Sequence, residues 1–336
     1  MTSLIFVTAL LALTNLNLVN AAPSSSNRPC VSLELALPVI MDSPDITDRI
    51  KGVKRVEDTF TINAQLCVPK YSEKRGILEI ATHGFAFDKK YWDSEVEPEK
   101  YSYVDAALDA GYSILTYDRL GVGESSKPDA YDVVQGPVQL KILKEITLSR
   151  DRDVDIPDFN EIVLVGHSLG SPVTIGVLSQ YGKLVDASIW PGTRKSHDPH
   201  KFHDRGSGYL VQATESNVQQ IFFKKGYFDP NPLNYGEKIK ETGTVGDFLS
   251  LGAVLANPAL NYKAPLLFAL AEYDFEVCAG NCTGSYDLDA IRSDMFPSAS
   301  DVDVHIQGGS GHALTMHRNA TRHYQAISAY LGGKGL

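Results

Sequence analysis

Short apolar runs recur along this chain, each followed by a turn rich in glycine or charge. They are "GILEIATHGF" (76–85), "YSILTYDRLGVGESS" (112–126), "EIVLVGHSLGSPVTIGVL" (161–178), "VDASIWPG" (185–192), "APLLFALAEYD" (264–274) and "DVDVHIQGGSGHAL" (301–314). A short run that is apolar throughout reads as a strand buried on both faces. Between the runs lie stretches of helical spacing: "EKYSYVDAALDAG" (99–111), closed by Gly111, "VVQGPVQLKILKEITL" (133–148), and "NATRHYQAISAYLG" (319–332), closed by Gly332. Strands alternating with helices make βαβ units, so the spacing predicts an α/β fold with a mostly parallel central sheet flanked by helices. "TFTINAQLCV" (59–68) alternates instead and reads as an antiparallel strand. In open sheets of this kind functional groups gather at the carboxyl ends of the strands. The motifs considered below all follow such ends.

The rhythm breaks between about residues 193 and 263. "TESNVQQIFFKKGYF" (214–228) and "TVGDFLSLGAVLANP" (244–258) read there as short helices, with no clear strand. This is the pattern of a helical cap inserted into one domain spanning 23–336. With 43% hydrophobic residues the chain can fill a core of that size.

The first 22 residues read as a signal peptide. "LIFVTALLALTNLNLV" (4–19) is apolar with small polar interruptions, and "NAAPSSS" (20–26) offers cleavage after Ala21 or Ala22, although no basic segment precedes the apolar stretch. That stretch is too interrupted for a convincing membrane span. The reading is a secreted, extracellular protein without stable membrane insertion. Cys30, Cys67, Cys278 and Cys282 fit an oxidising compartment. Four cysteines allow three pairings; Cys30–Cys67 and Cys278–Cys282 are favoured, the first stapling the N-terminal arm to an early strand. Sequons stand at Asn281 and Asn319, and Asn319 is the better glycosylation candidate. A formal net charge of −10 argues against nucleic acid or an anionic membrane surface as partner.

Ser168 stands between Gly166 and Gly170 at a strand-to-helix turn. A serine hydroxyl is a poor nucleophile until a base accepts its proton and a third group orients that base. It also needs donors aimed at the developing oxyanion. A sharp turn with small neighbours exposes such a nucleophile, and the helix that follows offers free N–H groups.

Gly166-His167-Ser168-Leu169-Gly170 resembles the nucleophile elbow of the α/β-hydrolase family, and the resemblance spans roughly Val53 to Leu331. Its chain order of nucleophile, acid and histidine implies Asp274 as acid and His312 as base. Glu272 and Asp198 compete for the acid role, His305 and His317 for the base. His305 reads as strand packing and His317 as a helical surface residue. By the same resemblance the N–H groups of Phe85 and Leu169 form the oxyanion hole, after the early strand that ends His83-Gly84. His83 reads as a hydrogen-bonder shaping that loop. Asp118, in "DRLGVGESS" (118–126), reads as a turn-fixing residue.

His167 and Trp190 are pocket candidates, and Phe222, Phe223, Tyr227 and Phe228 compete between pocket lining and ordinary packing. "HDPHKFH" (197–203) tempts a metal reading through His197, His200 and His203, but Pro199 interrupts it and the spacing is not that of a zinc helix. No metal and no cofactor are expected.

The resemblance implies a serine hydrolase. It would cleave a carboxylic ester, lactone or thioester of a small to medium, partly apolar substrate through a Ser-Asp-His triad and an acyl-enzyme. Dehalogenases and epoxide hydrolases of this fold need aspartate at the elbow, which disfavours both. Peroxidases and hydroxynitrile lyases keep the triad, as does a tailoring enzyme of secondary metabolism. A non-catalytic ligand-binding homologue is the alternative from another class. The whole pattern looks most like secreted fungal hydrolases.

Overall fold

The computed structural model describes residues 28, 30–46, 52–149, 159–190 and 205–336. The leader, Asp198 and the histidines of 197–203 lie outside the described residues. Among the described residues the central sheet has eight strands. They are β1 (Cys30–Asp45), β2 (Gly52–Cys67), β3 (Ile77–Thr82), β4 (Ser113–Tyr117), β5 (Glu161–Gly166), β6 (Ala187–Trp190), β9 (Pro265–Ala271) and β12 (Asp301–Gln307), in the order β1-β2-β4-β3-β5-β6-β9-β12. From β4 to β12 every neighbouring pair is parallel. This is the α/β-hydrolase fold with its mostly parallel sheet and flanking helices.

Side-chain alternation divides the core in two. Ala81, Val163 and Val165 face one apolar cluster, under α1 (Pro98–Tyr101), α2 (Tyr103–Asp109) and α10 (Ala320–Gly333). Leu78, Ile80, Ile162 and Leu164 face the other, under α3 (Gly136–Ser149) and α4 (Gly170–Tyr181). Strand neighbours point to opposite faces, so an unbroken apolar run supplies both clusters at once.

Two local expectations change. The stretch 99–111 is not one helix: Ser102 adopts extended angles, and its hydroxyl accepts the Asp105 N–H at 3.0 Å. Serine competes for backbone donors in this way and starts a new helix instead of continuing the old one. The N-terminal arm is also more regular than its sequence suggests. β1 and β2 form a 16-residue antiparallel ladder that places Cys30 opposite Cys67. These two cysteines pair, and closing a loop of that length stabilises the fold by about 4 kcal/mol in the chain-entropy account. Cys278 pairs with Cys282.

The segment between β6 and β9 holds α5 (Glu215–Phe222), α6 (Pro230–Ile239) and α7 (Val245–Val254). It also holds a short antiparallel pair where no strand was expected, β7 (Tyr209–Leu210) with β8 (Gly243–Thr244). After β9 come β10 (Tyr273–Asp274), α8 (Phe275–Cys278), β11 (Gly280–Asn281) and α9 (Leu288–Met295). No helix among the described residues is long and apolar enough to cross a membrane.

Candidate active site

The carboxyl end of β5 turns at His167 and Ser168 before α4 begins. Ser168 has φ +55°, a left-handed conformation that costs an L-residue about 1–3 kcal/mol. The flanking glycines are sterically required. A Cβ on Gly166 would stand 2.9 Å from Ser171 Cα, and one on Gly170 would stand 2.7 Å from the His83 carbonyl oxygen. The turn is closed by Gly170 N–H to His167 O at 2.8 Å and Ser171 N–H to Ser168 O at 2.9 Å. Gly84, at the end of β3, crosses beside the serine: a Cβ there would stand 2.9 Å from Ser168 Oγ and equally far from His167 Nδ1.

The loop after β3 is held from behind by His83. Its Nε2 accepts the Arg119 N–H at 2.9 Å, so the ring proton is on Nδ1, which donates to the Gly84 carbonyl at 2.8 Å. Burial and the nearby Arg119 charge hold this imidazole neutral, well below the usual histidine range. Phe85 follows, buried, its ring edge-on to Phe248 of α7 at 5.0 Å. The N–H groups of Phe85 and of Leu169, which caps α4, donate to no other described residue. Asp118 is buried; it accepts from Lys89 N–H at 3.0 Å and Glu124 N–H at 2.9 Å and pairs with Lys89 Nζ at 2.8 Å, which ties the loop after β4 to the loop after β3.

Asp274 and His312 are brought together from different strands. His312 Nδ1 lies 2.8 Å from Asp274 Oδ2, while Asp274 Oδ1 accepts the Glu276 and Val277 N–H groups at 3.0 Å each. A ring nitrogen facing a carboxylate carries its proton, which leaves the lone pair on Nε2. That atom is buried and has no hydrogen-bond partner among the described residues. Ser168 is 1% exposed.

Two of the competing residues, Glu272 and His317, hold the loop that carries His312. Glu272 accepts the Gly309 N–H at 2.7 Å in the loop leading to His312. His305 is half-buried, its Nε2 3.3 Å from Gln307 Oε1. His317 is not a surface residue: it is fully buried and bonded on both nitrogens, because the chain after His312 turns inward beneath the segment that follows α5. Asn319 folds back on the same loop, accepting from Ser310 Oγ at 2.9 Å and donating to Gly308 O. His167 donates through Nε2 to the His312 carbonyl at 3.1 Å and stacks on Tyr91 at 4.1 Å. Burial holds it well below the usual histidine range. Sequence reading missed these links, since nothing local marks which distant carbonyl a histidine reaches.

Phe222 lies over His312, ring centres 5.6 Å apart, and Phe87 packs on Phe222 at 4.7 Å. Phe223 packs with Phe228 at 4.9 Å, whereas Tyr227 is 43% exposed against Tyr273. Trp190 ends β6; its side chain lies outside the described residues. No cluster of three metal-ligating side chains occurs among the described residues.

An α/β sheet carrying a serine elbow and an Asp–His pair at its strand ends defines a class, and the comparisons agree with that class. The chain belongs to the Alpha/beta hydrolase family, whose model matches residues 80–322. A putative non-heme chloroperoxidase from Synechocystis is 29% identical over 172 residues, 48% of this chain and 55% of that protein, so the chain spans about half the length of this relative. Among solved structures, a monoacylglycerol lipase from Paleococcus ferrophilus superposes with TM-score 0.56 at 15% identity, covering 80% of this chain and 96% of the lipase. A thermophilic esterase from Thermogutta terrifontis gives TM-score 0.54 at 15% identity, covering 89% and 99%.

Proposed function

We propose that the protein is a serine hydrolase that cleaves a carboxylic ester, lactone or thioester of a small to medium, partly apolar substrate. The observation that carries this reading is the buried His312–Asp274 pair at 2.8 Å, with an unpartnered Nε2, in a fold whose strained elbow presents Ser168. His312 Nε2 takes the Ser168 proton as Oγ attacks the substrate carbonyl. The N–H groups of Phe85 and Leu169 receive the oxyanion. His312 then protonates the leaving alcohol or thiol, and water, deprotonated by the same nitrogen, releases the acid. Asp274 holds the imidazole tautomer and stabilises the imidazolium. His167 borders the site at its floor. The helical segment of about 193–263 acts as a cap in one domain spanning 23–336, and the rings of Phe222 and Phe87 favour an apolar acyl or alcohol group. The paired cysteines and the leader sequence support secretion, with residues 1–22 removed.

The chloroperoxidase likeness favours a second reading, in which hydrogen peroxide replaces water at deacylation and a peracid leaves. One experiment separates the possibilities. Wild type and Ser168→Ala are compared on p-nitrophenyl esters from acetate to palmitate, with and without peroxide. Turnover lost in the variant supports the hydrolase. Peracid formation exceeding hydrolysis supports the second reading. No turnover and no labelling of Ser168 by a fluorophosphonate would sink both.

A further inference from the structure

The chain after α5 lies directly on the loop that carries His312. Ala313 N–H donates to the Phe222 carbonyl at 2.9 Å, and Arg318 N–H to the Tyr227 carbonyl at 3.1 Å. Gly311 permits the approach: a Cβ there would stand 2.7 Å from Lys224 N and 2.9 Å from the Phe222 carbonyl oxygen. His317 stands in this seam. Its Nε2 accepts two N–H groups, Gly311 at 2.9 Å from the base loop and Lys224 at 3.0 Å from the helical segment. Its Nδ1 lies 2.8 Å from the Ala313 carbonyl, to which it donates. Phe223 and Phe228 pack on the ring at 5.5 and 6.4 Å. A nitrogen accepting two donors carries no proton, so the ring is neutral with its proton on Nδ1. Burial agrees, pushing this histidine down to about 4.

Resting on the hydrolase reading, we propose that His317 is a positioning residue, the joint through which the helical segment sets the place of the base His312. One imidazole fixes the residue before His312 and the residue after it, and the same nitrogen holds the backbone two residues beyond Phe222, the ring lying over the base. The Lys224 bond and the setting of Gly311 thus share one nitrogen beside the buried Ser168 and His312. A ring that merely fills volume would leave the base unmoved when replaced by a side chain of similar bulk.

The test uses the full chain as wild type, His317→Leu and His317→Gln, on the best p-nitrophenyl ester of the series above. Leucine fills space but accepts nothing; glutamine offers an acceptor oxygen. The leucine variant is expected to lose about tenfold to hundredfold in kcat, the scale of a small misplacement of a catalytic group, with KM within about twofold. The acid limb of its pH–rate profile should move to lower pH as the Asp274–His312 pair loosens, and glutamine should restore most of kcat. A folded leucine variant with kcat within about twofold of wild type and an unmoved limb overturns the inference. Should leucine prevent folding, the wild-type His317 tautomer decides: 15N shifts at pH 7 showing a protonated Nε2 refute it, and a protonated Nδ1 with bare Nε2 supports it. If wild type neither turns over nor labels at Ser168, the hydrolase reading fails on its own. The low-field proton of His312 Nδ1, compared between wild type and the leucine variant, then still tests positioning.

Discussion

The nucleophile elbow and the base loop sit side by side and are specified in opposite ways. The elbow is set by close backbone packing, against Ser171 of its own helix and against the Thr82 and His83 carbonyls of the neighbouring strand end. Gly166 and Gly170 leave room that no other side chain can share, and three backbone hydrogen bonds fix the turn, His167 N–H to Thr82 O at 2.9 Å being the third. The base loop is set by side-chain hydrogen bonds, from just beyond it and from farther off: Asn319 holds Gly308 and Ser310, His317 holds Gly311, Glu272 holds Gly309, and His167 holds the His312 carbonyl. A turn defined by sterics is rigid wherever it occurs. A loop defined by side-chain acceptors is only as well placed as the elements that carry them, and it depends on their protonation.

The largest way to break the base side is Asp274→Asn. The carboxamide oxygen can still cap α8, so folding survives, but the amide nitrogen cannot orient the imidazole as the carboxylate does. Ester turnover should fall by about 10³–10⁴-fold with little change in melting temperature. The elbow breaks differently. Gly170→Ala sets a methyl against the Thr82 and His83 carbonyls, backbone atoms that cannot step aside, and should cost about 3 kcal/mol of stability by urea unfolding.

Acid separates the two regions next. With a folded pKa near 4, below the unfolded value of about 6.5, His317 binds fewer protons in the folded protein across that interval. Its contribution is therefore complete above pH 6.5 and is lost as pH falls toward 4, amounting to about 3 kcal/mol. His317→Gln should remove that part of the acid sensitivity, read by urea unfolding at pH 7 and pH 4.5, whereas elbow variants keep it. The smallest expected effect is Glu272→Ala. Losing the acceptor for Gly309 should lower kcat about tenfold while the melting temperature moves by only a few degrees.

The same division explains what could be read in advance. The strands, their mostly parallel order and the glycine-flanked serine follow from apolar runs and residue size, which are local properties. The Cys30–Cys67 pairing was favoured from the sequence, but the ladder that places the two opposite each other was not foreseen: Leu33, Leu35, Leu37 and Val39 alternate as a strand should, yet Pro38 and Pro44 interrupt the run. His317 was misread as a surface residue for a related reason: helical spacing says which face a residue takes, not what another segment lays over that face. Asn319 carries a sequon, yet its amide is engaged by the loop before His312, a use that its three-residue motif cannot announce.

By itself the sequence determined the alternation of strand and helix, and with it a buried parallel sheet with glycine-rich turns at its carboxyl ends. It also determined that a strained serine turn stands at one of them. These follow from which residues can be buried and which can bend, properties that each residue carries with it. Only the tertiary structure decided that Asp274, rather than Glu272, meets His312, and that Phe222 covers the ring. It alone decided that His317 ties the helical segment to the loop beneath it. Hydrogen bonds between side chain and backbone depend on distance in space, and at His312 the partner, His167, lies 145 residues away in sequence.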